Sequence, residues 1–334
     1  MTDTRSDTVS VVERTQPVAA DGAIVAAHFL GRTAAFVLGE EAIVLAESTG
    51  EPRRVAVHGG AILAATSDGE RIVSGGDDGK LTSTDAKGES RTLATDVKHR
   101  WIDHVAIGPD GAVAWSAGKT AFVQAKELRQ FEAPSSVGGL AFLPKGFRLA
   151  VAHYNGATLW FPNAVGATPE KLEWKGSHLG VTVSPDGRFL VTTMQEPMLH
   201  GWRLIDHQHM RMSGYAARVT SFGWTAGGNF LATSGATQLI LWPFQSKDGP
   251  MGKQPRVLAP SEHRTAVVAS HPKQDIVAAG YSNGLVLLVR IDDGAEILAK
   301  KPGDAPVTAL AWSADGLLLA FGTESGEAGI VDLA

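Results

Sequence analysis

The chain has 334 residues, no cysteine, a charged fraction of 19% and a formal net charge of −5. These values exclude disulfides, thiolate metal centres and a cysteine nucleophile, and they leave no electrostatic footprint for nucleic acid or an anionic membrane. No stretch approaches the roughly 18 apolar residues of a membrane span. The segment from Met1 lacks a basic region followed by an apolar run, so a cytoplasmic location is expected.

The first β-type run is Thr8 to Arg14, and it precedes any repeat. A turn signature then recurs eight times, its copies ending at Gly31, Gly69, Gly111, Gly146, Gly187, Gly228, Gln274 and Gly316. The clearest copies are Ser184-Pro185-Asp186-Gly187, Gly108-Pro109-Asp110-Gly111 and Ser313-Ala314-Asp315-Gly316. The first, His28-Phe29-Leu30-Gly31, is the weakest, having lost both Pro and Asp. A period of about forty residues is the mark of a repeat architecture.

Each copy has the same internal plan. In the sixth, Val219 to Trp224 is a short β-run, Thr225 to Gly228 is the turn, and Asn229 to Ser234 is a second run. Gln238 to Phe244 is a third, and Pro255 to Ala259 a fourth. Four short strands joined by turns predict antiparallel sheet. Asp78-Gly79, Asn155-Gly156 and Asn283-Gly284 sit between second and third runs, where a two-residue hairpin needs positive φ. The third run ends near Trp160, Trp202 and Trp242 in three copies. The eighth copy supplies three runs, the last Ala328 to Leu333. The orphan run Thr8 to Arg14 is therefore expected to complete it, residues 1–16 serving as a tail that supplies the closing strand.

The period, the Ser-Pro-Asp-Gly turn, the third-strand Trp and the hairpin Asp or Asn resemble the WD40 β-propeller family across the whole chain. Only Asp85 and Asp332 keep the second letter of the family's Trp-Asp pair, and His58, His178 and His263 lie near its Gly-His position without the preceding Gly. The resemblance implies an all-β fold over residues 1–334, one ring of four-stranded antiparallel blades. Eight blades are expected, with seven as the alternative. It also implies a hydrogen-bond network in each well-kept blade, for which the second copy offers His58, Ser74 and Asp78 without the Trp.

Two groups of residues are candidates for function. Lys98-His99-Arg100-Trp101 precedes the third copy, Tyr215-Ala216-Ala217-Arg218 the sixth, and His263-Arg264 the seventh. In the family these connections line one rim of the ring, and exposed Arg, Trp and Tyr are the residue types of interface hot spots. Arg100, Trp101, Tyr215, Arg218, His263 and Arg264 are therefore the expected protein-binding residues. Separately, His207 and His209 alternate along one strand face with His200 upstream, a pattern that supplies imidazole nitrogen for zinc. The nucleophile elbow Gly-x-Ser-x-Gly and the phosphate loop ending in Gly-Lys-Ser/Thr are absent. The expected function is a non-enzymatic scaffold, a monomeric propeller without cofactor, binding another protein and neither nucleic acid nor membrane. A metal- or small-ligand-binding propeller is the alternative, and a propeller enzyme is a further one.

Overall fold

The computed structural model describes residues 9–164 and 166–334. No helix among them is long and apolar enough to cross a membrane. The described residues are strands, turns and two short 3-10 turns. Copy one gives Ile24–Leu30, Thr33–Leu38, Ala42–Ala46 and Arg53–Ala56; copies two, three and six repeat this four-stranded antiparallel arrangement. First strands of successive copies touch one another around an axis, and Val307–Trp312 of copy eight returns to Ile24–Leu30 of copy one. Copies five and six are joined inside the ring by Trp224 Nε1, which donates to Thr182 Oγ1 at 2.9 Å.

The expectation of eight separate blades is corrected: among the described residues the strands form seven sheets, not eight. The degenerate first copy is not the cause, since its sheet is complete. Instead copies four and five share one six-stranded sheet. Leu149–Trp160 turns back within itself at Asn155 (φ 65) and Gly156 (φ 138). Glu170–Val183 then runs on without a break, its start paired with 156–159 and its end with 190–194. Elsewhere a loop interrupts the hydrogen bonding between copies. Here Trp174, Lys175 and Gly176 remain within one strand, which bends at Gly176 (φ 110) without breaking the ladder.

The recurring turn is a self-contained hydrogen-bond unit. Ser184 Oγ donates to Asp186 Oδ1 at 2.7 Å and accepts the N–H of Phe189 at 2.9 Å, while Gly187 takes φ 77. Ser313, Asp315 and Leu318 repeat it with distances of 2.6 and 3.0 Å. In copy seven His271 does the work of the Ser. Its Nδ1 accepts the N–H groups of Lys273 and Gln274, so Nε2 carries the proton and donates to Gly316 O at 3.1 Å. Around Ser184 and Ser313 the turn bonds within itself, whereas in copy seven His271 also ties it to the turn of copy eight.

The core lies between faces of adjacent sheets. Phe36, Leu38 and Val44 of copy one pack with Ile330 and Leu318 of copy eight; Val37 and Ile43 pack on their other side with Ile62 and Ile72 of copy two. Each fully buried side chain of this kind contributes about 1.5–3 kcal/mol, so the ring is held by inter-sheet packing.

Closure uses the N-terminal region, but not the expected segment. Thr15–Ala19 pairs antiparallel with Glu327–Asp332, and Val18 is buried beside Ile24 and Phe36. It replaces the predicted Thr8 to Arg14, of which Thr8 lies outside the described residues. Val9–Ser10 instead adds parallel to Glu296–Lys300 on the outer edge of copy seven. A 3-10 turn at Val12–Arg14 links the two. Pro17 is tolerated in this strand because it lies on the sheet's outside edge, where a missing N–H costs nothing. The chain therefore clips the last two sheets together.

Candidate functional site

Every copy runs in the same sense, so the connections into the first strands emerge on one face of the ring. The connection at residues 96–102 is the most ordered of them by side-chain bonding. Asp96 accepts the N–H groups of Lys98 and Arg100, both at 3.0 Å. Its carboxylate also binds the Arg100 guanidinium at 2.7 Å, and Arg100 reaches on to Ala117 O at 3.0 Å and Thr120 Oγ1 at 3.2 Å. These bonds, the Arg100 side chain's first, hold the Asp96 carboxyl down to about 2. Ile102 closes the loop, fully buried against Gly75, where an added Cβ would collide with it. Between these anchors Val97 and Trp101 are left in solvent, 90% and 63% exposed.

On the same face, Arg218 and Arg264 line one cleft of about 340 Å³ with Gln195, Thr220, Gly235 and Thr265. The cleft spans copies five, six and seven. Arg218 Nη1 donates to Gln195 Oε1 at 3.2 Å. Of the six residues expected to bind protein, the structure brings only Arg218 and Arg264 into one cavity. His263 is exposed beside them, outside the lining. Trp101 is exposed on copy three, and Arg100 acts as its loop's internal brace.

Tyr215 is corrected from surface to core. It is 8% exposed, and its hydroxyl lies 2.8 Å from Thr233 Oγ1. Trp242 Nε1 donates to that hydroxyl at 2.6 Å, while Thr233 Oγ1 donates to Ile240 O at 3.2 Å. The Thr hydrogen is thus spent on Ile240, so Tyr215 donates to Thr233. The chain of bonds runs from Trp242 through Tyr215 and Thr233 to the backbone. Burial pushes the Tyr215 hydroxyl up to about 12. Copy two builds the same device with His58, whose Nε2 is 2.8 Å from Ser74 Oγ and whose Nδ1 is 3.1 Å from Asp78 Oδ1. Tyr in place of His hid this network in the sequence. The spacing to the strand hydroxyl, 18 residues against 16 in copy two, was the available signal.

Of His200, His207 and His209, the structure brings His200 and His209 together, their rings stacked at 5.5 Å. His200 is fully buried, stacked on Trp174 at 4.1 Å and edge-on to Trp202 at 4.7 Å. His209 tilts over the same Trp174 ring at 4.7 Å, and exposed His207 pairs with Glu170 at 3.6 Å. Among the described residues no three His, Asp or Glu side chains are grouped so as to hold a metal ion. Neither nitrogen of His200 has a hydrogen-bond partner. Burial, reinforced by His178, His209 and Arg211, pushes this imidazole down to about 3; burial likewise pushes His28 down to about 4.

Both imidazoles are therefore neutral in the fold where the unfolded chain would protonate near 6.5. The unfolded state binds more protons as pH falls, so their contribution is complete above pH 6.5 and is lost toward pH 4 for His28 and pH 3 for His200. Each site steepens the loss by about 1.4 kcal/mol per pH unit. The slope of unfolding free energy between pH 6 and 4.5 is expected to fall by about one proton in His200→Phe. An unchanged slope would mean that His200 is charged in the fold.

The architecture finds counterparts among known proteins. Residues 268–334 match the family model described as the anaphase-promoting complex subunit 4 WD40 domain. The C-terminal WD40 domain of Sif2 superimposes with a TM-score of 0.76 at 12% identity, covering 98% of this chain and 99% of that one. The chain has the β-propeller fold of a WD40 domain. The computationally designed Ika8 protein is similar to the propeller to the same degree, with a TM-score of 0.76 at 18% identity over 94% of this chain and 98% of its own. No curated protein matches the propeller's sequence.

Proposed function

We propose that this propeller is a non-enzymatic, cytoplasmic scaffold that binds a partner protein through the face carrying Trp101. WD40 propellers are commonly protein-interaction scaffolds. The observation that carries the reading here is the loop at residues 96–102. A solvent-exposed Trp and Val cost free energy and contribute nothing to the core, yet the loop beneath them is braced by buried Asp96 paired with half-buried Arg100. A braced loop loses little conformational entropy on binding, and a large aromatic on it is a hot-spot anchor.

Affinity purification of the wild-type propeller and of Trp101→Ala with Val97→Ser, each followed by quantitative mass spectrometry, tests this. The double variant is expected to keep the wild-type melting temperature, because both side chains are exposed. It is expected to lose its principal bound protein by about tenfold or more, as for a central hot spot. Retention of that protein at wild-type levels would refute the assignment.

A further inference from the structure

Arginines elsewhere on this protein tend to face carboxylates. Arg100 binds Asp96, Arg188 binds Asp186, Arg203 binds Asp206 and Arg290 binds Asp293. The cleft over copies five to seven breaks this habit. It is lined by two guanidiniums, Arg218 and Arg264, and by no carboxylate. Glu196, next to Gln195 in sequence, and Glu262, two residues before Arg264, do not line it. Neither arginine has a carboxylate partner among the described residues, on a chain whose net charge is −5. Two like charges held in one concavity repel each other, and the cleft's remaining side chains, Gln195, Thr220 and Thr265, are neutral and polar. Because Gln195 Oε1 accepts from Arg218, its amide nitrogen is left as a donor. The buried hydroxyl of Thr265 has no hydrogen-bond partner.

We infer that this cleft is a binding site for a dianionic phosphate group. The charge balance selects the ligand: a phosphate ester carries about −1.5 to −2 near neutral pH and neutralises both guanidiniums, where a carboxylate leaves one unpaired. Its three terminal oxygens match the forked donors of two arginines and an amide. The cleft volume of about 340 Å³ admits the group together with a short length of whatever carries it. Free phosphate and a phosphorylated side chain of a partner share this chemistry. The site is separate from the Trp101 loop, so loss of either leaves the other testable.

The experiment is a calorimetric titration of the full chain with inorganic phosphate, with a five-residue peptide centred on phosphoserine, and with the same peptide carrying Ser or Glu. Saturable binding of phosphate or of the phosphopeptide is expected, with the Ser and Glu peptides at least tenfold weaker. Tighter binding of the phosphopeptide than of phosphate identifies a modified protein as the source, and equal binding identifies the free anion. Arg218→Ala and Arg264→Ala are each expected to weaken binding about tenfold, a loss of one charge-assisted contact. Arg256→Ala, outside the cleft, is expected to leave it unchanged. All three arginines are on the surface, and equal melting temperatures without phosphate verify folding. Absence of saturable binding by both phosphate probes, or binding indifferent to Arg218 and Arg264, overturns the assignment.

Discussion

Removal of residues 1–19 is expected to lower the melting temperature by about 10 °C or more, or to leave the protein insoluble. The deletion takes away Thr15–Ala19, the outermost strand of the last sheet, and with it the five-residue register against Glu327–Asp332. Val18 leaves the core cluster it shares with Ile24, Phe36 and Ile330. Its burial is worth about 1.5–3 kcal/mol and each lost backbone bond about 0.5–1.5. The total is on the order of 5 kcal/mol, which at about 2 °C per kcal/mol gives the stated shift. The bared edge of Glu327–Asp332 would also present unpaired N–H and C=O groups to other chains. A shorter deletion, residues 1–11, separates the two parts of the clip. Among the described residues it removes the parallel pairing of Val9 and Ser10 with Ile297 and Leu298, the Val11 N–H bond to Leu298 O and the packing of Val11. Its effect is expected to be a small fraction of the larger one. Calorimetry and size-exclusion chromatography of both deletions decide the matter, and an unaltered melting temperature for the 1–19 deletion would show that closure does not depend on this strand.

The second large effect is expected at Tyr215. Tyr215→Ala should destabilise by about 3–5 kcal/mol for the lost aromatic volume. It also leaves the Trp242 indole N–H without its acceptor, at a further cost of about 1–3 kcal/mol. Tyr215→Phe isolates the second contribution, because the ring stays and only the hydroxyl linking Trp242 to Thr233 is removed. Its expected cost is about 1–3 kcal/mol. Urea denaturation of the two variants and of Thr233→Val measures both. If the hydroxyl network acts as a unit, Tyr215→Phe combined with Thr233→Val should cost less than the sum of the singles. Additive losses, or a Tyr215→Phe as stable as wild type, would show that the network contributes nothing beyond packing.

Several features were legible before any coordinates. The turns around Ser184 and Ser313 are written locally, since the Ser and Asp bond to backbone groups no more than five residues away. The partial network of His58, Ser74 and Asp78 was also legible, because each residue keeps its place relative to a recognisable turn. That the Arg218 and Arg264 connections share one rim was what the resemblance to the WD40 family implied. Tyr215 was misplaced because residue type alone does not separate a rim aromatic from one turned inward. Val97 was missed because a lone Val in a polar connection carries no pattern.

The sequence by itself determined the repeat, the four-strand plan of most copies and the all-β class, because turn chemistry and period-two patterning act over a few residues. Only the tertiary structure decided the division into seven sheets, the use of Thr15–Ala19 rather than Thr8 to Arg14, and which rim side chains face solvent. Each of these depends on a distant partner. Lys175 and Gly176 stay within a single strand, bent at Gly176, because both ends of that strand are paired. Pro17 is tolerated because its strand has a neighbour on one side only. Val97 and Trp101 stand out because Asp96, Arg100 and Ile102 are tied to residues of neighbouring strands. Contacts between residues far apart along the chain leave no periodic trace in it, and that is where local reading ended.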